Sequence, residues 1–210
     1  YQPMARINGS GAVFFPAATA EQAGIDPLAL DAAARWAEAN NSVALIVLRR
    51  GHVVLERYWQ GMGAAQGFSG RAMSRSLVGL AYGFAVADGS LSLDDPAAKF
   101  LPEWADDARG RITLRQLLQN VSGLEEVPLN AGGPFSKNVR LSLGTDFART
   151  ALSFRLQHET GGRFALSNAN AQLPGVILER ATGEPYARYV ERRLWKPLGA
   201  GEAAFYMDRE

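Results

Sequence analysis

A nucleophile, a base or a metal ligand is what chemistry would require of this chain, and few residues qualify. Cysteine is absent from all 210 residues, which removes thiolate nucleophiles, thiolate metal sites and disulfides together. The two histidines, His52 and His158, lie far apart, so a histidine-rich metal site is not expected, nor any cofactor. Of twelve serines, none has a lysine three residues later and none sits in Gly-x-Ser-x-Gly. His158-Glu159 is a pair by adjacency alone, and a solvated loop accounts for it. Glu125-Glu126 and Asp94-Asp95 are neighbours in sequence, an arrangement that caps helices or solvates turns more readily than it shares a proton. The glycine-rich segment 61–70 (GMGAAQGFSG) lacks Gly-Lys-Ser/Thr and is no phosphate loop. Residue types and spacing alone therefore single out no catalytic group.

The elements that would position these groups are organised around residues 72–95. Leu77 to Ala87 is eleven residues without a charge. That is shorter than the roughly 20 residues that cross a bilayer, and it predicts a helix buried on every side. Asp88-Gly89 supplies its stop. A helix start emerging from the 61–70 loop presents free backbone N–H groups, with positions 0, +3 and +4 on one face.

Elsewhere, residues 1–25 read as an extended lead-in. Asp26-Pro27 opens a helix to about Asn40, with Leu28, Ala32 and Trp36 on one stripe. Ser42 to Trp59 reads as a hairpin around Arg50-Gly51-His52, its first run apolar enough to be covered on both faces. Thr113 is placed to cap a helix that turns Leu114, Leu117 and Leu118 inward and ends at Gly123. Residues 125–145 read as a polar surface loop. Further helices are expected near 146–156, 168–182 and 184–195.

From Ser76 onward the chain resembles the serine β-lactamase-related family, which includes class C β-lactamases, DD-peptidases, esterases and aminohexanoate-oligomer hydrolases. The resemblance is carried by the apolar helix followed by DGSLSLDDPAAKFLPEW (88–104) and by ITLRQLLQNVSGL (112–124). Two further segments agree with it, GGRFALSN (161–168), similar to the family's Pro-Gly-x-x-Phe-x-Tyr-Ser-Asn, and KPLGA (196–200). Together these cover most of residues 26–200. The resemblance implies an α/β (α+β) fold of β-lactamase/transpeptidase type, an antiparallel sheet flanked by helices plus a helical lobe. On it, residues 1–60 begin the sheet lobe, 61–190 form the helical lobe with the cleft, and 191–210 return toward the sheet.

The same alignment sets Ala72 where the family has its nucleophilic serine, Arg75 where it has its lysine and Leu166 where it has its tyrosine. Alanine has no nucleophile, arginine with a pKa above ~12 is no base, and leucine carries no exchangeable proton. Deleting the nucleophile of a serine protease costs ~10⁶ in turnover. Three readings stand: a natural non-catalytic homologue, a hydrolase working through other residues, and an engineered inactive variant. Ser167 and Asn168 match the family's Ser-Asn and are positioned to hydrogen-bond a ligand amide, although Asn168 is equally suited to cap the next helix. Arg75 is suited to a ligand carboxylate, or else to a structural acid. Ser76 completes the candidate ligand-binding set.

Net charge is +1, from 22 basic and 21 acidic residues of interspersed sign, which suggests no nucleic-acid or membrane partner. The expected partners are a small-molecule or peptide-like ligand and a second chain or C-terminal fragment, because the family's last strands are absent from this chain. It begins at Tyr1 rather than Met, so an upstream segment is expected. The resemblance implies a periplasmic or secreted protein, with the cytoplasm as the alternative.

Overall fold

The computed structural model describes residues 4–11, 15–126, 133 and 136–208, Ser142 by its backbone alone. In chain order the elements are β1 (Met4–Ile7), α1 (Pro27–Ala39), β2 (Ala44–Arg49), β3 (His52–Tyr58), α2 (Ser74–Ala87) and α3 (Leu114–Leu118). Then follow α4 (Lys137–Leu143), α5 (Phe147–Leu152), α6 (Ala169–Thr182), α7 (Tyr186–Val190) and β4 (Ala203–Tyr206). They fall into two compact units. One is residues 12–69, the other residues 1–11 with 70–210.

In the smaller unit, Asp26 caps α1 by accepting a hydrogen bond from Leu28 N at 3.0 Å, with Pro27 at the first helical position, where its missing N–H costs nothing. The stripe of Leu28, Ala32 and Trp36 is exposed, Leu28 by 77% and Trp36 by 68%. The buried face is Ala34 and Ala37. β2 and β3 form the expected antiparallel hairpin, with an irregularity in register between Val47 and Leu48. Beyond β3, Ala17 bridges to Val53, with Val53 N donating to Pro16 O at 2.8 Å and Ala18 N to Val53 O at 3.0 Å. Among the described residues β2 pairs only with β3 and so is not in the middle of a sheet, and the exposed Ile46 and Leu48 show that one of its faces is uncovered.

The larger unit holds the main core. Tyr82, Trp104, Leu114, Leu117, Phe154 and Ile177 are among its fully buried side chains. Trp104 is fixed by its Nε1–H donating to Leu152 O at 3.1 Å and by the Arg109 guanidinium 4.9 Å from its ring centroid. The N-terminal residues are not simply an extended lead-in. β1 pairs antiparallel with β4, Met4 opposite Tyr206 and Ile7 opposite Ala203, and Ile7 is buried.

The central helix α2 buries one face rather than all of them. Ala81, Tyr82 and Ala85 are buried, while Gly79, Leu80, Gly83 and Val86 are exposed. An uncharged run hides its direction because glycine and alanine carry no polarity to mark the solvent side. Asp88 and Gly89 do end it, Gly89 at φ +71°. α3 begins with a full capping box: Thr113 Oγ1 accepts from Gln116 N, and Gln116 Oε1 accepts from Thr113 N. It ends earlier than expected, at Leu118, because Asn120 takes the left-handed conformation (φ +58°). Gly123 serves a different purpose. A Cβ there would lie 2.3 Å from His158 O, and its own carbonyl accepts from Gln157 N and His158 N.

Candidate functional site

Two segments meet at the candidate site, the first turn of α2 and the start of α6. A single turn of 3-10 helix, Arg71–Met73, precedes α2, so Ala72 sits exposed on that turn and not on the α-helix proper. Ser74 Oγ donates to Arg71 O at 2.6 Å, which ties it into this turn. Arg75 follows, half-buried. Its Nη2 donates to Asn168 Oδ1 at 3.4 Å across 93 residues of chain. Ser76 is exposed.

Asn168 occupies the N-cap position of α6, but its side chain makes no capping bond. Its Nδ2–H instead donates to Asn138 Oδ1 at 2.7 Å, which turns the amide oxygen toward Arg75. Ser167 is 1% exposed and its Oγ donates to Glu125 O at 3.1 Å. Its hydroxyl is therefore spent on holding the 122–126 loop. Leu166, one residue earlier, is 62% exposed.

Glu125 is the hub beneath these residues. Its carboxylate accepts from Lys137 Nζ on α4 and from Arg155 N at 3.0 Å, and its own N–H donates to Arg155 O at 2.8 Å. Burial raises its pKa, but the hydrogen bonds from Lys137 and the Arg155 N–H outweigh that and hold it below the ordinary glutamate value. Glu126 beside it pairs with Arg163 and lies 3.8 Å from His158 Nε2. His158 thus meets Glu126 rather than its neighbour Glu159. Among the described residues no three His, Asp or Glu side chains gather to hold a metal ion.

Sequence reasoning missed Asn138, Lys137 and the helix that carries them, having read 125–145 as loop. Residues 127–132 and 134–135 of that stretch lie outside the described residues. A signal was present in Ser136, whose Oγ accepts from Val139 N at 3.3 Å as the N-cap of α4. The missing apolar period over so short a helix concealed it.

Chemically, the arrangement offers a fixed cation and an oriented amide. Ala72 supplies no hydroxyl, and the guanidinium of Arg75 offers hydrogen-bond donors only. No helix among the described residues is long and apolar enough to cross a membrane.

Comparison with known proteins bears on the scaffold. The Staphylococcus aureus (strain COL) protein "Protein flp" is 30% identical over 135 residues, 63% of this chain and 26% of that protein. The Escherichia coli (strain K12) protein described as "Putative D-alanyl-D-alanine carboxypeptidase" is 27% identical over 220 aligned positions, 88% of this chain and 49% of that protein. Among solved structures, the "Putative 6-aminohexanoate-dimer hydrolase from Bacillus anthracis" superposes with a TM-score of 0.81 at 17% identity, over 99% of this chain and 59% of that one. That likeness shows a β-lactamase/transpeptidase-like fold. The chain thus spans from about a quarter to about three-fifths of the length of these proteins. A family model described as Beta-lactamase matches residues 30–210, nearly the whole of the chain, and with the shared fold it establishes that this chain belongs to the serine β-lactamase-related family.

Proposed function

We propose that this protein is a non-catalytic member of its family, binding an amide, ester or peptide-like ligand, or acting as a partner subunit, through a cleft whose acylation groups have been replaced. The observation that carries this reading is the trio Ala72, Arg75 and Leu166 at the positions of nucleophile, base and tyrosine. Acyl transfer needs an attacking atom and a group that takes its proton. This trio provides neither, while Arg75 and Asn168 still meet. The name of the E. coli relative, a carboxypeptidase, supports a peptide-like ligand. Many members of the family are exported, which supports a periplasmic or secreted location.

A second reading, a hydrolase that works through other residues, is favoured by one observation. Ser76 is exposed next to Arg75, and its hydroxyl makes no hydrogen bond among the described residues. Turnover separates the two. Hydrolysis of 4-nitrophenyl acetate and of a chromogenic cephalosporin is expected at the uncatalysed rate, unchanged by Ser76→Ala. A rate above background that disappears in Ser76→Ala would move the function to the second reading.

The exposed stripe of Leu28 and Trp36, and the exposed Ile46 and Leu48 of β2, support a partner surface on the smaller unit. A second polypeptide, or further chain, that adds a strand beside β2 would cover this edge.

A further inference from the structure

Among the described residues, four lysines and arginines are half-buried: Arg75, Arg109, Lys137 and Arg193. Three of them are ion-paired, Arg109 with Asp107, Lys137 with Glu125 and Arg193 with Asp88. Among the described residues Arg75 has no carboxylate partner, and the sole hydrogen bond of its side chain is the 3.4 Å contact to the neutral oxygen of Asn168. A guanidinium withdrawn from water loses hydration that a long bond to one amide does not restore, and a carboxylate is the usual compensation. The alternative of a structural acid beside Arg75, open on sequence grounds, is not met by any described residue.

We infer that the ligand of this site is a carboxylate, and that it docks on the Arg75 guanidinium beside Asn168. The inference rests on the reading of the cleft as a ligand site and adds the chemical class it takes. Arginine presents its N–H groups in a planar fork that matches the two oxygens of a carboxylate. Asn168 Oδ1, aimed by the bond from Asn168 Nδ2 to Asn138, occupies one edge of that fork and leaves the remaining donors for an incoming acceptor. In a relative that keeps lysine and serine here, the cation cycles protons. In this chain it is permanent, so anion recognition is what the position retains.

Two sources share this chemistry, a small organic acid and the free C-terminus of a peptide. The test is titration of the intact protein with 4-phenylbutyrate and with N-acetyl-alanyl-phenylalanine, each against its neutral amide, followed by calorimetry and by the Arg75 Nε–H resonance. Binding of at least one acid is expected, and whichever binds tighter names the source. Each amide should bind at least tenfold more weakly. Arg75→Met should lower acid affinity at least tenfold, and Arg75→Lys should keep part of it. The wild-type Nε–H shift reads the contact even if a variant folds poorly. Acid and amide bound alike, with no movement of the Arg75 resonance, would overturn the carboxylate assignment and leave the ligand-binding reading standing. No binding of any of the four would overturn both.

Discussion

Tyr82 on α2 donates its phenolic hydrogen to the carbonyl oxygen of Pro174 on α6, at 2.9 Å and wholly inside the core. This one bond joins the helix that carries Arg75 to the helix that Asn168 begins, so it holds the spacing on which the site depends. Burial pushes the Tyr82 hydroxyl far above its ordinary pKa, so it remains a donor at every accessible pH. Tyr82→Phe removes the donor and little volume. It should cost about 1 kcal/mol, measured as the loss of unfolding free energy in urea. An unchanged midpoint and slope would mean that apolar packing alone sets the contact.

Acid should loosen the floor of the site before the rest of the core. Glu125 is held below its ordinary pKa when folded, so its contribution is complete above the unfolded value, roughly pH 4 to 5, and is lost as pH falls through the folded one. Glu125→Gln leaves Lys137 without its carboxylate. At pH 7 the variant should be less stable than the parent, and the gap should close as pH falls below about 4, read from urea midpoints across pH. A gap that stays constant with pH would assign the loss to packing instead.

The exposed apolar residues of the smaller unit lead to a prediction about association. The chain as given should self-associate or aggregate at micromolar concentration through Leu28, Trp36 and the free edge of β2. Sedimentation velocity on Trp36→Glu should show a lower mass distribution than the parent. A monodisperse parent monomer with a cooperative melt would refute the partner surface.

Much of this was legible in the sequence because local signals sufficed for it. Asp26-Pro27, Thr113 with Gln116, and Asp88-Gly89 each bound a helix end through chemistry that acts within four residues. Orientation was less legible. In α1 the large apolar residues Leu28 and Trp36 drew attention to a stripe that is exposed, while the buried side is set by Ala34 and Ala37, whose small side chains give little signal; in α2 the run is apolar all round, and the buried side is Ala81, Tyr82 and Ala85. The pairing of β1 with β4 spans nearly the whole chain and has no local trace. At the site, Arg75 and Asn168 were named from sequence, but Asn138, which orients Asn168, sits on a helix read as loop. A third-party contact of that kind becomes visible only in three dimensions.

Restoring the family's groups tests whether the scaffold still positions them. Ala72→Ser with Arg75→Lys and Leu166→Tyr should produce hydrolysis of 4-nitrophenyl acetate measurably above the parent, at a modest rate. Ala72→Ser alone should not, since Arg75 accepts no proton. If the triple variant folds, binds ligand and shows no added rate, the cleft has diverged along with its chemical groups.

The most direct measurement is the intact mass of the protein after incubation with a fluorophosphonate and, separately, with a β-lactam. With alanine at position 72 and a permanently charged arginine at position 75, no acyl or phosphonyl group should be retained, and the mass should equal that of the untreated chain. A stoichiometric adduct on any serine, Ser76 first among them, would contradict the account and would identify the nucleophile it says is missing.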